Sequence, residues 1–205
     1  MSRYTQAVCR LCRRERTKLM LKGSKCTTKC PVDKGRNFPP GQHTKKQTKL
    51  SEYGKRLREK QKLRNMCGIT ERQLRTYFER AKLLKGIAGE NLLRLIEMRL
   101  DNIVYRLGLA PSRRFSRQLI SHKHILVNDK TINIPSYEVR VGDRIKLKDY
   151  LKDNINIQKS LERQMLPSWL RFDKDNLIGE VVSLPTREEI SFPVNESLIV
   201  EFYSK

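Results

Sequence analysis

Four cysteines near the start of the chain, Cys9, Cys12, Cys26 and Cys30, follow the pattern C-x2-C-x13-C-x3-C, and no other feature constrains the fold as tightly. Two close thiol pairs joined by a loop of about a dozen residues can close a tetrahedron around one Zn²⁺. A structural zinc contributes on the order of 10 kcal/mol to a segment too small to fold alone. The spacing therefore predicts a zinc knob over the first 30 residues, with one structural Zn²⁺. Two disulfides would suit a secreted domain. Met1, however, is followed by Ser2, Arg3 and Tyr4 with no apolar run of signal-peptide length, and no stretch approaches the ~18 apolar residues of a membrane span. The expected compartment is the cytosol, where thiols stay reduced. An iron-sulfur cluster and unliganded thiols remain as alternatives, although the usual cluster spacings are different. The fifth cysteine, Cys67, precedes Gly68 at a helix end and reads as a small buried hydrophobe.

The knob sits in the most basic part of a 205-residue chain of net charge +22. Residues 1–75 hold 22 Lys and Arg against 5 Asp and Glu, a net of +17, which leaves +5 for residues 76–205. Such a density repels itself unless a polyanion supplies the counter-charge, and a nucleic acid does so with its phosphates. An anionic membrane fits less well, because no basic amphipathic helix with large apolar anchors is present.

Residues 31–50 show neither helical nor alternating periodicity and read as an extended arm punctuated by proline and glycine. Phe38 and His43 interleave there with Lys45, Lys46 and Lys49, a mixture of stacking planes and phosphate partners suited to RNA; a flexible linker is the alternative. Ser51 predicts a helix to about Met66, with Tyr53, Leu57 and Leu63 as a thin apolar stripe and Arg56, Lys60, Lys62 and Arg64 on the basic remainder. Thr70 and Gln73 form a capping-box pair opening a second helix, which carries Leu74, Tyr77, Phe78, Ala81 and Leu84 before Gly86. Over residues 90–107 the apolar positions Leu92, Leu93, Ile96, Leu100, Ile103, Val104 and Leu107 recur at three and four, which predicts one continuous helix ending at Gly108. Ser112 caps a short helix with Phe115, Leu119 and Ile120 inward and Arg113, Arg114, Arg117 and Lys123 outward. The period then changes to two. Ile125 and Val127, Ile132 and Ile134, and Ile145 and Leu147 are separated by turns at Asn128-Asp129 and Gly142-Asp143, which predicts a small antiparallel sheet. Further on, a polar helix over 153–166, Trp169 as a packing residue, a strand over 180–184, and a final helix capped by Asn195 with Leu198, Ile199 and Phe202 on one face complete the reading.

Residues 98–147 carry Arg99-Leu100-Asp101, Arg106-Leu107-Gly108, Ser112-Arg113-Arg114, Arg117-Gln118-Leu119, His122-x-His124-Ile125 and Val127-Asn128. This run resembles the small RNA-binding module named after the fourth protein of the small ribosomal subunit, which is also appended to pseudouridine synthases and tyrosyl-tRNA synthetases. The resemblance extends over essentially all 205 residues. The cysteine-rich start, Pro39-Pro40-Gly41-Gln42-His43, Tyr53-Gly54, Glu59-Lys60-Gln61-Lys62, Tyr77-Phe78, Pro193-Val194-Asn195-Glu196 and Glu201-Phe202-Tyr203 are all similar to the bacterial-type family of that fourth protein, in its zinc-bearing four-cysteine form. One departure is visible: zinc-bearing members usually have four residues between the last two cysteines, and this chain has three.

The resemblance implies an α+β protein with a zinc knob and extended basic arm (1–45), a helical lobe (46–95, completed by a C-terminal helix within 190–205) and an inserted α+β lobe (96–189) containing the RNA-binding module at about 97–150. It implies a structural constituent of the small ribosomal subunit, in the cytoplasm. Such a protein binds the small-subunit ribosomal RNA early in assembly at a multi-helix junction, contacts the neighbouring fifth protein, and lies near the channel by which messenger RNA enters, with consequences for translational fidelity. Metal ligands are expected at Cys9, Cys12, Cys26 and Cys30. RNA contacts are expected at Arg3, Arg10, Arg13, Arg14, Lys22, His43, Lys45, Lys46, Lys49, Arg56, Lys60, Lys62, Arg64, Arg99, Arg106, Ser112, Arg113, Arg114, Arg117, Gln118, His122, Lys123 and His124. The bare residues agree with an RNA binder. Only His43, His122 and His124 are histidines, no Ser/His/Asp or Cys/His arrangement is legible, and no glycine-rich phosphate loop appears, so no enzyme is expected. A zinc-dependent DNA regulator would place a recognition helix after the knob, where an extended arm stands instead.

Overall fold

A computed structural model describes residues 4–42, 49–162 and 165–204. The chain divides into two units, Met1–Leu92 with Phe192–Lys205, and Leu93–Ser191. Among the described residues no helix is long and apolar enough to cross a membrane.

In the first unit the knob consists of α1 (Cys9–Glu15) and α2 (Ser24–Thr28). The residues that follow Cys30 do not extend. Lys34 N–H donates to the Cys30 carbonyl and Arg36 N–H to that of Pro31, which makes residues 30–36 a run of turns. Ser51 accepts from Gly54 N–H and opens α3 (Glu52–Cys67), which Gly68 ends in the left-handed conformation. Thr70 and Gln73 form the full reciprocal capping box of α4 (Glu71–Leu83). The C-terminal helix α9 (Glu196–Ser204), capped by the Asn195 side chain accepting from Ser197 N–H, lies along α3. Tyr53 meets Phe202 at 5.7 Å, Phe78 stacks on Tyr203 at 4.8 Å, and Leu63, Leu74, Phe78 and Ile199 are fully buried around them. Cys67 is buried in this packing, a small hydrophobe as expected.

The expected single helix over 90–107 is two helices, α5 (Ala88–Glu97) and α6 (Leu100–Arg106). Arg99 between them is extended (φ −73°, ψ 140°) and bridges Glu138. The break is held by backbone pairing with a distant segment. Leu100 N–H donates to the Tyr137 carbonyl at 2.8 Å, Asp101 N–H to Pro135 at 3.1 Å, and Val139 N–H to Met98 at 3.0 Å. Apolar periodicity does not register such a break, because Ile96, Leu100, Ile103 and Leu107 stay in phase across it and are all buried.

Ser112 accepts from Phe115 N–H and opens α7 (Arg113–Ser121). Strands β1 (Ile125–Val127) and β2 (Lys130–Thr131) are joined by Asn128 and Asp129, both at positive φ (49° and 62°), as a two-residue hairpin with right-handed twist requires. With β3 (Arg144–Leu147), β4 (Leu170–Asp173) and β5 (Ile178–Val181), the described strands pair antiparallel in the order β2-β1-β3-β5-β4. The expected 180–184 strand starts earlier and stops at Val181, and the polar helix shortens to α8 (Ile155–Leu161). The core lies between the inner face of the sheet, with Ile125, Val127, Ile145, Leu147 and Val181, and α6 and α7, with Ile103, Leu107, Leu119 and Ile120.

Gly179 on β5 leaves room for Leu107, the residue that follows α6. A Cβ built there would stand 2.3 Å from Leu107 Cδ1 and 2.5 Å from Cδ2, and Leu107 is itself fully buried. Gly179→Ala is expected to lower unfolding free energy by about 1–3 kcal/mol, the usual cost of overpacking a dense core. Urea denaturation measures it; an unchanged midpoint would contradict the close approach.

Candidate nucleic-acid interface

The four knob cysteines are free thiols; Cys12, Cys26 and Cys30 are buried and Cys9 is half-buried. All four line one cavity of about 170 Å³, together with Lys22, Lys25, Lys29, Pro31 and Val32. Lys22 N–H donates to Cys26 Sγ at 3.2 Å. Burial pushes the Cys12 thiol up, the backbone at Leu19 opposes this, and the neighbouring Cys26, Cys9 and Cys30 push it further up. Among the described residues no three His, Cys, Asp or Glu side chains are arranged, as they stand, to hold a metal ion. The donor chemistry and the gathering of four thiols at one cavity nonetheless suit a soft divalent cation.

Around the knob the basic residues divide into two kinds. Arg10, Arg14, Lys22 and Lys49 are exposed. Arg13 instead turns back: its guanidinium lies 5.0 Å from the Phe38 ring centre and its Nε donates to the Phe38 carbonyl, pinning the segment that follows the knob. Arg3, His43, Lys45 and Lys46 lie outside the described residues.

On α3 the same division appears. Arg56 pairs with Glu201 at 2.5 Å, Lys62 with Glu59 at 3.4 Å, and Arg64 stands 3.8 Å from Glu71. Lys60 faces inward rather than toward solvent: it is 5% exposed, pairs with Glu71 at 2.7 Å, and lies 4.2 Å from the Phe202 ring centre. Its position, three before Leu63, puts it on the buried stripe. Burial pushes the Glu71 carboxyl up, but hydrogen bonds from Lys60 and Tyr203 hold it below its ordinary value.

In the second unit Asp101 is the organising group. It accepts two parallel bonds from Arg99, Nε at 3.0 Å and Nη2 at 2.8 Å, and a third from Arg117 Nε at 2.7 Å. Arg99 is 2% exposed, so it serves as an internal strut and not as part of the RNA-facing surface. Arg106 is engaged with the buried Glu97 and with Ser191. Arg113 Nε donates to Asn102 Oδ1 at 2.5 Å, its guanidinium lies 4.6 Å from the Tyr105 ring centre, and Asn102 in turn donates to the Ile96 carbonyl. The polar side of α6 is thus a rack that orients two arginines of α7. Beside them Arg114, Gln118, His122 and Lys123 are exposed, and Ser112 and His124 are half-buried. Lys123 sits at φ 61°, which turns the chain sharply between α7 and β1.

Sequence reasoning named Asp101 within the Arg99-Leu100-Asp101 motif but gave it no role. Two residues apart on a continuous helix, Arg99 and Asp101 would point to different sides; they meet because the helix breaks between them. The presence of one acidic residue among so many arginines was the available signal.

The chain matches the family described as "Ribosomal protein S4/S9 N-terminal domain" over residues 3–97 and the "S4 domain" over 98–145, with the junction at the break between α5 and α6. It is 55% identical to "Small ribosomal subunit protein uS4" of Caldicellulosiruptor saccharolyticus, 54% to that of Dictyoglomus turgidum and 50% to that of Endomicrobium trichonymphae, in each case across 100% of both chains. With both domains matched and full-length identity of half or more, the chain belongs to the family of the small ribosomal subunit protein uS4.

Proposed function

We propose that this chain is a structural constituent of the small ribosomal subunit, working in the cytoplasm, and that it binds the small-subunit ribosomal RNA through the knob, α3 and the α7 edge. The observation that carries this reading is full-length similarity to proteins named for that subunit, joined to a basic edge held ready by Asp101 and Asn102. Backbone-directed arginines and lysines spread over two units suit an RNA junction in which several helices meet, recognised by shape and phosphate more than by base sequence. The finer reading is early assembly at that junction, contact with the neighbouring fifth protein, and a position near the channel by which messenger RNA enters, with Lys45, Lys46 and Lys49 as the channel-side patch and an influence on fidelity. No catalytic role is assigned.

Affinity for folded small-subunit ribosomal RNA is expected to fall on the order of tenfold or more for a severalfold rise in salt, as displaced counterions return. Arg114→Glu with Lys123→Glu is expected to weaken that binding at least tenfold while stability moves by less than about 0.5 kcal/mol, since both side chains are exposed. Filter binding across a salt series checks both. A flat salt response, or a folded double variant that binds normally, would overturn the reading.

One structural Zn²⁺ held by Cys9, Cys12, Cys26 and Cys30 belongs to the same proposal; it is supported by four free thiols on one cavity and the N–H donated to Cys26. When bound, the metal ties α1 to α2 and so holds Arg10, Arg14 and Lys22 in place. Metal analysis of the purified chain is expected to give about one zinc per molecule, released by a chelator with local unfolding of the knob. Iron, or no metal with freely titratable thiols, would overturn it.

A further inference from the structure

The outer face of the sheet, on the side away from α6 and α7, carries a set of groups that the α7 edge does not use. Along β3 the buried residues Ile145 and Leu147 alternate with Arg144 and Lys146, and the alternation continues to Lys148, whose N–H donates to the His124 carbonyl. Successive outward residues on a strand stand about 6.8 Å apart, a step comparable to that between phosphates of an extended nucleic-acid strand. Leu126 lies opposite Lys146, and Glu180 lies opposite Arg144. Lys146 and Lys152 both reach Asp149, at 3.6 and 3.1 Å. With Arg171 and Asp173 of β4 also outward, five cations stand against Asp149, Glu180 and Asp173, and the face stays net positive.

At the end of this stripe stands Tyr150. Its side chain is 66% exposed, yet the ring is not loose: its hydroxyl is 2.5 Å from His124 Nδ1, and the two rings meet edge to face at 5.7 Å. The His122 ring follows at 5.9 Å from His124. An exposed aromatic ring fixed by a hydrogen bond and flanked by a regular row of cations combines the two elements by which proteins hold unpaired strands, a stacking plane and a phosphate track. Paired A-form RNA hides its base faces, so a ring presented this way has a partner only in an unpaired nucleotide.

We propose that this sheet face binds an unpaired RNA strand, with Arg144, Lys146 and Lys148 along the phosphates and one base stacked on Tyr150. The site rests on the ribosomal-RNA reading above and adds a single-stranded segment to it. The test is binding of the full chain to a fluorescein-labelled twelve-nucleotide oligouridylate. Tyr150→Ala is expected to weaken it roughly five- to hundredfold, the range of one lost base stack. Tyr150→Phe, which keeps the ring, should recover most of that affinity, and Lys148→Ala should lower the salt slope by about one phosphate contact. The proposal is overturned if the oligouridylate does not bind, or if folded Tyr150→Ala binds it as the parent does. Arg114→Glu with Lys123→Glu separates the two claims: normal binding of folded ribosomal RNA by that variant refutes the α7 edge and leaves the oligouridylate result to judge the sheet face.

Discussion

Asp101→Ala is expected to cost about 3–5 kcal/mol of stability, because it removes the carboxylate that pairs bidentately with the buried Arg99 guanidinium. The same change frees Arg117 from its 2.7 Å tether, so any variant population that still folds should bind ribosomal RNA more weakly. The mechanism separates two effects that a surface substitution would not. Replacing Arg117 alone by Met removes one bond to Asp101 but leaves the Arg99 pair in place, and should cost far less. Chemical denaturation of both variants measures the difference; equal losses would show that Asp101 is not the hub. The geometry also bears on how the α7 edge should be probed. Arg113 and Arg117 each have a partner on α6, so reversing their charges disturbs folding along with binding, whereas Arg114 and Lys123 are exposed positions at which charge is better reversed.

Trp169→Ala is expected to cost a similar amount, about 3–5 kcal/mol, because the indole is 1% exposed and sits among the largest fully buried side chains. Trp169 precedes β4, and its carbonyl accepts from Val182 N–H, so the side chain closes the core where β4 and β5 meet. Its fluorescence in the native chain should resist quenching by iodide and should not change when RNA binds. Quenching by either would mean that the ring is at the surface and available for stacking, a role the structure gives to Tyr150 instead.

Much of the fold was legible because its signals are local. The capping box at Thr70, the serine caps at Ser51 and Ser112, the left-handed turn at Asn128-Asp129 and the alternation through β1 and β3 each depend on neighbours within four residues. What was not legible depends on residues far apart in the chain. The break at Arg99 exists because residues 135–139 pair with residues 98–101, and β4 forms only against β5. The same holds for the interface. Residue type identified the basic positions, and the structure divided them into exposed ones, such as Arg14 and Arg114, and internal ones, such as Lys60, Arg99 and Arg106. An arginine reads alike in either role until its carboxylate partner is located, and those partners lie between 2 and 145 residues away.

The central claim is that this chain works as part of the small ribosomal subunit. Sedimentation of a native cell lysate tests it most directly. The account predicts that the protein co-migrates with small subunits and leaves them only when salt is raised enough to compete for phosphate. A protein found solely in the free soluble fraction, with none on the subunits at low salt, would contradict it.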